Sequence, residues 1–235
     1  MEDFILEVEN LSASYGTSRA LRDISFQIGR EDIVALIGRN GVGKTTLLKC
    51  LMGVLRPDSG VLRFCGGTER RSAHAMSAAG VAYVPQGREI FSDFTVRENL
   101  RIGAINEKKA VVDARFEQIL AYFPALIPHL ERKGGVLSGG QQQQLAIGRA
   151  LMSEPKLLLL DEPTEGIQPN VVAQIADILE RVHKTARLPI LLVEQNLKFA
   201  MRYANRFICM QKGRIVAEGA SGELTDELID KYLKV

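Results

Sequence analysis

The chain is poor in cysteine, carries no marked excess of either charge and has no long apolar run. Its three cysteines, Cys50, Cys65 and Cys209, are scattered without the spacing of metal ligands. An odd, dispersed set of this kind argues against a disulfide framework and fits buried thiols in a reducing cytosol. A net charge of +2 over 235 residues is too small for a nucleic-acid binder, so no nucleic-acid partner is expected. The short basic clusters ERKGG (131–135) and ERR (69–71) read as solvated loops. No apolar stretch approaches the roughly 20 residues that cross a bilayer. The longest, KLLLLD (156–161) and PILLVEQ (189–195), have the length of buried strands. The acidic opening MEDFILEVEN lacks the basic start and apolar core of a secretory signal. The chain is therefore expected to sit in water and to meet a membrane only through a partner.

What is present is an ordinary globular composition, 46% hydrophobic and 25% charged, in a length that suits one large domain spanning residues 1–235. Residues 4–9 and 24–28 have the apolar patterning of strands. DIVALIG (32–38) is a short continuous apolar run, the mark of a strand buried on both faces. VAYVPQ (81–86), KLLLLDE (156–162), PILLVEQ (189–195) and RFICMQ (206–211) predict four more strands. Helical patterns separate most of them, notably KTTLLKCLMGV (44–54) and PNVVAQIADILERVHKT (169–185). Strands alternating with helices predict a largely parallel α/β sheet. Between about 94 and 152 there is no strand pattern, only helical stretches such as TVRENLRIG and EKKAVVDARFEQILAYF, broken by Pro124 and Pro128. This segment reads as a helical insert in the α/β core. SGELTDELIDKYLKV (221–235) reads as a capped amphipathic helix.

Two helix starts are shaped for an anion. The first, GRNGVGKTT (38–46), matches G-x-x-x-x-G-K-[ST] from Gly38 to Thr45 and lies between a predicted strand and a predicted helix. Along Gly38, Arg39, Asn40, Gly41, Val42 and Gly43 the backbone N–H groups can converge on a polyphosphate, and the helix start that Lys44, Thr45 and Thr46 open adds positive potential. Lys44 can reach the β- and γ-phosphates, and the Thr45 hydroxyl can ligate Mg²⁺. A magnesium–triphosphate site also needs a carboxylate, and KLLLLDE puts Asp161 at the end of a buried strand, where it can hold the metal through water. Glu162 beside it can polarise an attacking water. The chain has no N-K-x-D guanine reader, which disfavours GTP.

The second helix start is LSGGQQQQLAIGRA (137–150), with Ser138 as cap and Gly139, Gly140 and Gln141 opening the helix. The phosphate loop, LSGGQ (137–141) and LLLLDEPT (157–164) occur in that order, and together they closely resemble the nucleotide-binding subunits of ABC transporters over essentially the whole chain. The resemblance implies a P-loop NTPase (RecA-like) α/β core, an N-terminal antiparallel β subdomain and a helical insert carrying the LSGGQ signature. It implies ATP and Mg²⁺ as cofactors. It also implies a head-to-tail dimer with a second ATPase subunit, a related chain or a second copy, in which Ser138, Gly139 and Gly140 donate to the γ-phosphate held by the partner. Two transmembrane permease subunits, an extracytoplasmic solute-binding protein acting indirectly, and a position at the cytoplasmic face of the inner membrane follow from the same resemblance.

Other positions match by resemblance alone. Tyr15 in LSASYG matches the aromatic residue that stacks on adenine. Gln86 in YVPQGREIF matches the glutamine that touches the metal and the attacking water, and in such subunits the segment after it forms, with the helical insert, the groove for the permease; its Ile90, Phe91 and Phe94 fit ordinary packing of the insert equally well. Most of the family has a histidine at the γ-phosphate where this chain has Gln195, in LLVEQN. A carboxamide still donates a hydrogen bond but has no ionisable proton near neutral pH, so Gln195 is expected to position the γ-phosphate while Glu162 governs the water. Gln168 stands in place of the usual aspartate. LLVEQN and VPQGREIF resemble importers of branched-chain amino acids. SGGQQQQLAIGRAL with TEGIQPN is closer to importers of urea and short-chain amides, which is the solute class expected. An exporter ATPase is disfavoured by LLVEQN. A soluble ABC ATPase acting on DNA or ribosomes is disfavoured because it usually carries a long coiled-coil insert or a second fused module.

Overall fold

The computed structural model describes residues 4–67 and 72–232, the side chain of Asp226 apart. The ERR cluster and the last three residues of the predicted C-terminal helix lie outside them. In chain order the elements are β1 (Phe4–Tyr15), β2 (Ser18–Gly29), β3 (Ile33–Ile37), α1 (Lys44–Leu51), β4 (Ser59–Phe64), α2 (Ala73–Ala79) and β5 (Val81–Val84). Then come α3 (Val96–Ile102), α4 (Lys109–Tyr122), α5 (Gly139–Leu151), β6 (Leu157–Asp161) and α6 (Pro169–Ala186). The last are β7 (Ile190–Glu194), α7 (Leu197–Tyr203), β8 (Arg206–Gln211), β9 (Arg214–Ala220) and α8 (Asp226–Tyr232).

The central sheet has the order β5-β6-β7-β3-β8-β9. Its first five strands run parallel and β9 returns antiparallel along β8. The strand period of two sends alternate residues to opposite faces. Ala35 and Ile37 of β3, Leu158 and Leu160 of β6, and Ile190 and Leu192 of β7 join one core with Leu100, Phe116, Leu145 and Ile175 from α3 to α6. Val34, Leu36, Leu157, Leu159, Leu191 and Val193 join a second core on the other face, with Leu47 and Leu48 of α1 and with Leu11, Leu21 and Ile28. Both faces are covered, which is why the runs IVALI, LLLLD and ILLVE are continuous rather than alternating. Leu11, Leu21 and Ile28 come from the antiparallel sheet β2-β1-β4.

The structure is α/β with the N-terminal antiparallel sheet and the helical segment expected from the sequence. Residues 94–152 hold α3, α4, α5 and two 3₁₀ turns, the first of which takes up Pro124 and Pro128. Several expectations need correction. β1 and β2 are 12 residues each, longer than the stretches 4–9 and 24–28. β4, α2 and β9 had no counterpart in the sequence reading. Cys50 and Cys209 are buried, but Cys65 is exposed in the turn after β4, where its backbone is left-handed (φ 50°). The C-terminal helix begins after Thr225, whose hydroxyl accepts the Leu228 N–H (3.3 Å), while residues 221–223 form a separate 3₁₀ turn.

Candidate nucleotide site

The polar residues gather where parallel strands end. β3 stops at Ile37 and the chain turns through residues 38–43 into α1, which starts without any side-chain cap. Its first N–H groups are therefore left for a ligand. The turn is pinned from below. A Cβ at Gly38 would lie 2.5 Å from the Met210 carbonyl oxygen of β8, so glycine is required for that close approach. The Val42 carbonyl accepts the Gly213 N–H (3.0 Å). Lys44 is 5% exposed and its Nζ donates to the carbonyls of Gly38 (2.7 Å) and Arg39 (3.0 Å). It also lies 3.8 Å from Glu162 Oε1. Burial pushes the Lys44 ammonium below its usual pKa, against the pull of Glu162, Asp161 and Glu194.

Asp161 ends β6 and is 1% exposed. Its Oδ2 accepts the Tyr83 hydroxyl at 3.3 Å, while Oδ1 is buried without a hydrogen-bond partner. Burial raises the Asp161 pKa, and the Thr45 and Tyr83 hydroxyls and Lys44 oppose it. Glu162, next in the chain, is forced into a left-handed turn (φ 48°) while its N–H bonds the Val193 carbonyl (2.9 Å). Both of its carboxylate oxygens accept from Gln195 Nε2, each at 2.7 Å. Gln195 follows β7, the strand lying between β6 and β3, and its amide is committed to Glu162. Gln86 follows β5 and donates through Nε2 to Glu165 Oε2 (2.9 Å) rather than to either member of the pair.

A cleft of about 410 Å³ brings together Tyr15, residues 40, 41 and 43–46 of the phosphate loop, Gln86 and Glu162. Tyr15 is 49% exposed at the tip of the β1–β2 hairpin, so its ring is open to a planar ligand. Ser138, Gly139, Gly140 and Gln141 do not line this cleft. They begin α5, and Ser138 and Gln141 form a capping box, Ser138 Oγ accepting the Gln141 N–H (3.4 Å) and Gln141 Oε1 accepting the Ser138 N–H (3.0 Å). Ser138 is exposed and Gly139 half-buried, whereas Gly140 is buried against α6, where a Cβ would lie 2.6 Å from Val171 Cγ1.

The sequence reading missed Glu194, which is 2% exposed. It accepts the Thr164 hydroxyl (2.7 Å) and the N–H groups of Thr164 (3.1 Å), Gln195 (3.2 Å) and Asn196 (3.3 Å). Burial raises its pKa and these donors hold it down. It ties the loop after Glu162 to the loop carrying Gln195. Its signal was a carboxylate ending an apolar strand immediately before Gln195, the same signal that exposed Asp161. Tyr83, Thr164 and Glu165 were also missed, since each gains its role only from a partner distant in sequence.

A glycine-rich turn and a buried lysine after β3, facing an acidic pair at the end of β6 one strand away, define a P-loop nucleotide hydrolase. The family model described as "ABC transporter" matches residues 21–165, and the chain belongs to that family. It binds ATP and hydrolyses it in support of transport. The chain is 40% identical to the high-affinity branched-chain amino acid transport ATP-binding protein BraG of Pseudomonas aeruginosa, over 97% of this chain and 99% of that one. It is 36% identical to the probable branched-chain amino acid transport ATP-binding protein LivF of Archaeoglobus fulgidus, over 98% of both. Among solved structures, cbiO1 of Clostridium perfringens, part of the ABC transporter complex cbiONQ, superposes with a TM-score of 0.85 at 30% identity, covering 98% of this chain and 94% of that one.

Proposed function

We propose that the chain is the ATPase subunit of a binding-protein-dependent importer, acting at the cytoplasmic face of the membrane as one half of a head-to-tail pair, with a related chain in the complex and with a second copy of itself when isolated. Among the described residues no helix is long and apolar enough to cross a membrane, so attachment runs through permease subunits. The observation that carries the reading is the separation of two anion sites in one chain. The phosphate loop, Tyr15, Gln86 and Glu162 share a cleft, while the solvent-facing start of α5 lies outside it. A signature helix that cannot serve its own nucleotide serves the partner's.

In this reading Tyr15 stacks on adenine, residues 38–46 enclose the phosphates and Lys44 exchanges its two carbonyl partners for β- and γ-phosphate oxygens. The donor set fits Mg²⁺: a buried carboxylate oxygen of Asp161 without a partner, with the Thr45 hydroxyl near the same group. Thr45, Asp161 and Gln86 would hold the ion, which neutralises phosphate charge when bound. Gln86 must first leave Glu165. Glu162 polarises the attacking water, and Gln195 holds that carboxylate in place and turns its amide to the γ-phosphate when nucleotide enters. Ser138 Oγ accepts from Gln141 and keeps its own proton for the γ-phosphate across the interface, alongside the N–H groups of Gly139 and Gly140, while Gln141 maintains the capping box. ATP favours the closed pair because its γ-phosphate touches both halves, and hydrolysis removes that bridge.

For the solute, the names of the two relatives above favour branched-chain amino acids. TEGIQPN and the glutamine run support urea or short-chain amides as the second reading. The test is ATPase activity of the complete complex, with permeases and binding protein, in lipid vesicles. Leucine, isoleucine or valine is expected to stimulate hydrolysis severalfold while urea and acetamide do not. The reverse pattern establishes the second reading, and stimulation by neither class refutes both.

A further inference from the structure

Directly after Gln86 the chain makes an unusual turn. Gly87, Arg88 and Glu89 are all left-handed, with φ of 84°, 72° and 46°, a conformation that non-glycine residues adopt only when the surroundings impose it. Here the turn is closed by its own backbone, the Arg88 N–H on the Pro85 carbonyl (3.0 Å) and the Glu89 N–H on the Gly87 carbonyl (2.8 Å), and is tied to α5 by Arg149 Nη2, which donates to the Glu89 carbonyl at 2.7 Å. The turn carries the Arg88 guanidinium to the start of α5, where a Cβ on Gly139 would lie 3.3 Å from both of its terminal nitrogens. Its contacts there are long: Nη1 to Gln142 Oε1 at 3.4 Å and Nη2 to the Glu165 carbonyl at 3.3 Å. Among the described residues it pairs with no carboxylate.

A half-buried guanidinium with no counter-charge, beside the positive end of a helix, is repelled by the helix dipole. The arrangement is unfavourable until an anion arrives between them, and then both attract it. We propose that Arg88 binds the γ-phosphate of the nucleotide held in the partner's phosphate loop, adding a side-chain cation to the donors of Ser138 and Gly139. The inference rests on the head-to-tail reading given above. ADP lacks the phosphate that Arg88 grips, so the contact raises the preference of the closed pair for ATP. Because Arg88 follows Gln86 so closely, it also joins the segment after Gln86 to the nucleotide state of the opposite site.

The test uses the full chain with Glu162→Gln, in which ATP persists, and follows ATP-driven dimerisation by light scattering over a range of ATP concentrations. Arg88→Met keeps the stem and removes the charge. It is expected to raise the ATP concentration for half-dimerisation at least about tenfold, the weight of one charge-assisted hydrogen bond. Arg88→Lys should recover part of the loss. Binding of a fluorescent ATP analogue to the dilute monomer should be unchanged in all of them. Gln142→Ala deletes the acceptor on α5 but leaves the cation, and should dimerise as the parent does. Arg88→Met dimerising at the parent's ATP concentration overturns the proposal, and so does an equal loss in Gln142→Ala, which would make Arg88 a strut. If the parent Glu162→Gln chain stays monomeric at saturating ATP, the head-to-tail reading itself fails, whatever Arg88 does.

Discussion

Lys44 and Asp161 are charges buried where folding alone gains nothing from them. Burial drives the lysine toward its neutral form and the carboxyl toward its protonated form, the response of groups removed from water without full compensation. Both positions were legible in the sequence, because glycine spacing and an acidic pair after an apolar run are local patterns. Glu194, Tyr83 and Arg88 were not, since each acts through a residue far along the chain. The cysteines were legible in two of three cases. Burial pushes the Cys50 thiol from the ordinary 9.0 up to about 12 and Cys209 up to about 11. A raised thiol pKa stabilises the folded chain fully below pH 9.0, and that contribution is lost as pH rises toward those values. Near pH 8, a disulfide reagent is therefore expected to titrate Cys65 alone in the native chain and all three cysteines after denaturation. Cys50→Ala should lose less stability than the parent as pH is raised above 9.0. Fast labelling of two or more thiols in the native chain would contradict this account.

Elements with uniform burial were read well from sequence and half-exposed elements were not. β3, β6 and β7 are buried along their whole length, and α6 runs from Pro169 to Ala186 with one apolar face. β4 and β9 expose much of their surface, with burial patterns that follow no simple alternation, so their sequences carry polar residues that mimic loops. α2 spans seven residues, all small or polar except Met76, which alone is buried. A different kind of element joins the insert to the site. Asn99 of α3 is fully buried, accepting the Phe91 N–H (2.9 Å) and donating to the carbonyls of Phe91 (2.9 Å), Phe94 (3.2 Å) and Thr95 (3.0 Å). It fixes the segment that follows Gln86, including the stacked pair Phe91 and Phe94. Asn99→Ala strands several buried backbone groups and is expected to cost roughly 2–4 kcal/mol in urea unfolding. A loss below about 0.5 kcal/mol would mean that water replaces the side chain without penalty.

At the scale of the whole molecule, the fold brings the ends of β3, β5 and β6 into one cleft, with Gln195 after β7 bonded to its Glu162, and the signature helix does not line it. No single motif reveals this division, because it concerns the placement of α5 relative to the sheet. The proposed consequence is that one chain carries two unequal halves of two sites and works only when a second chain completes both. In the same proposal the permease senses closure through the segment between Gln86 and α3. The most direct test of that claim is the mass in solution of the full-length Glu162→Gln chain, measured by light scattering with no nucleotide, with ADP and with ATP. The account predicts a monomer in the first two conditions and a doubled mass with ATP, reversed by Ser138→Arg, which fills the signature side of the junction. A monomer at saturating ATP, or a dimer that forms equally with ADP, would contradict it.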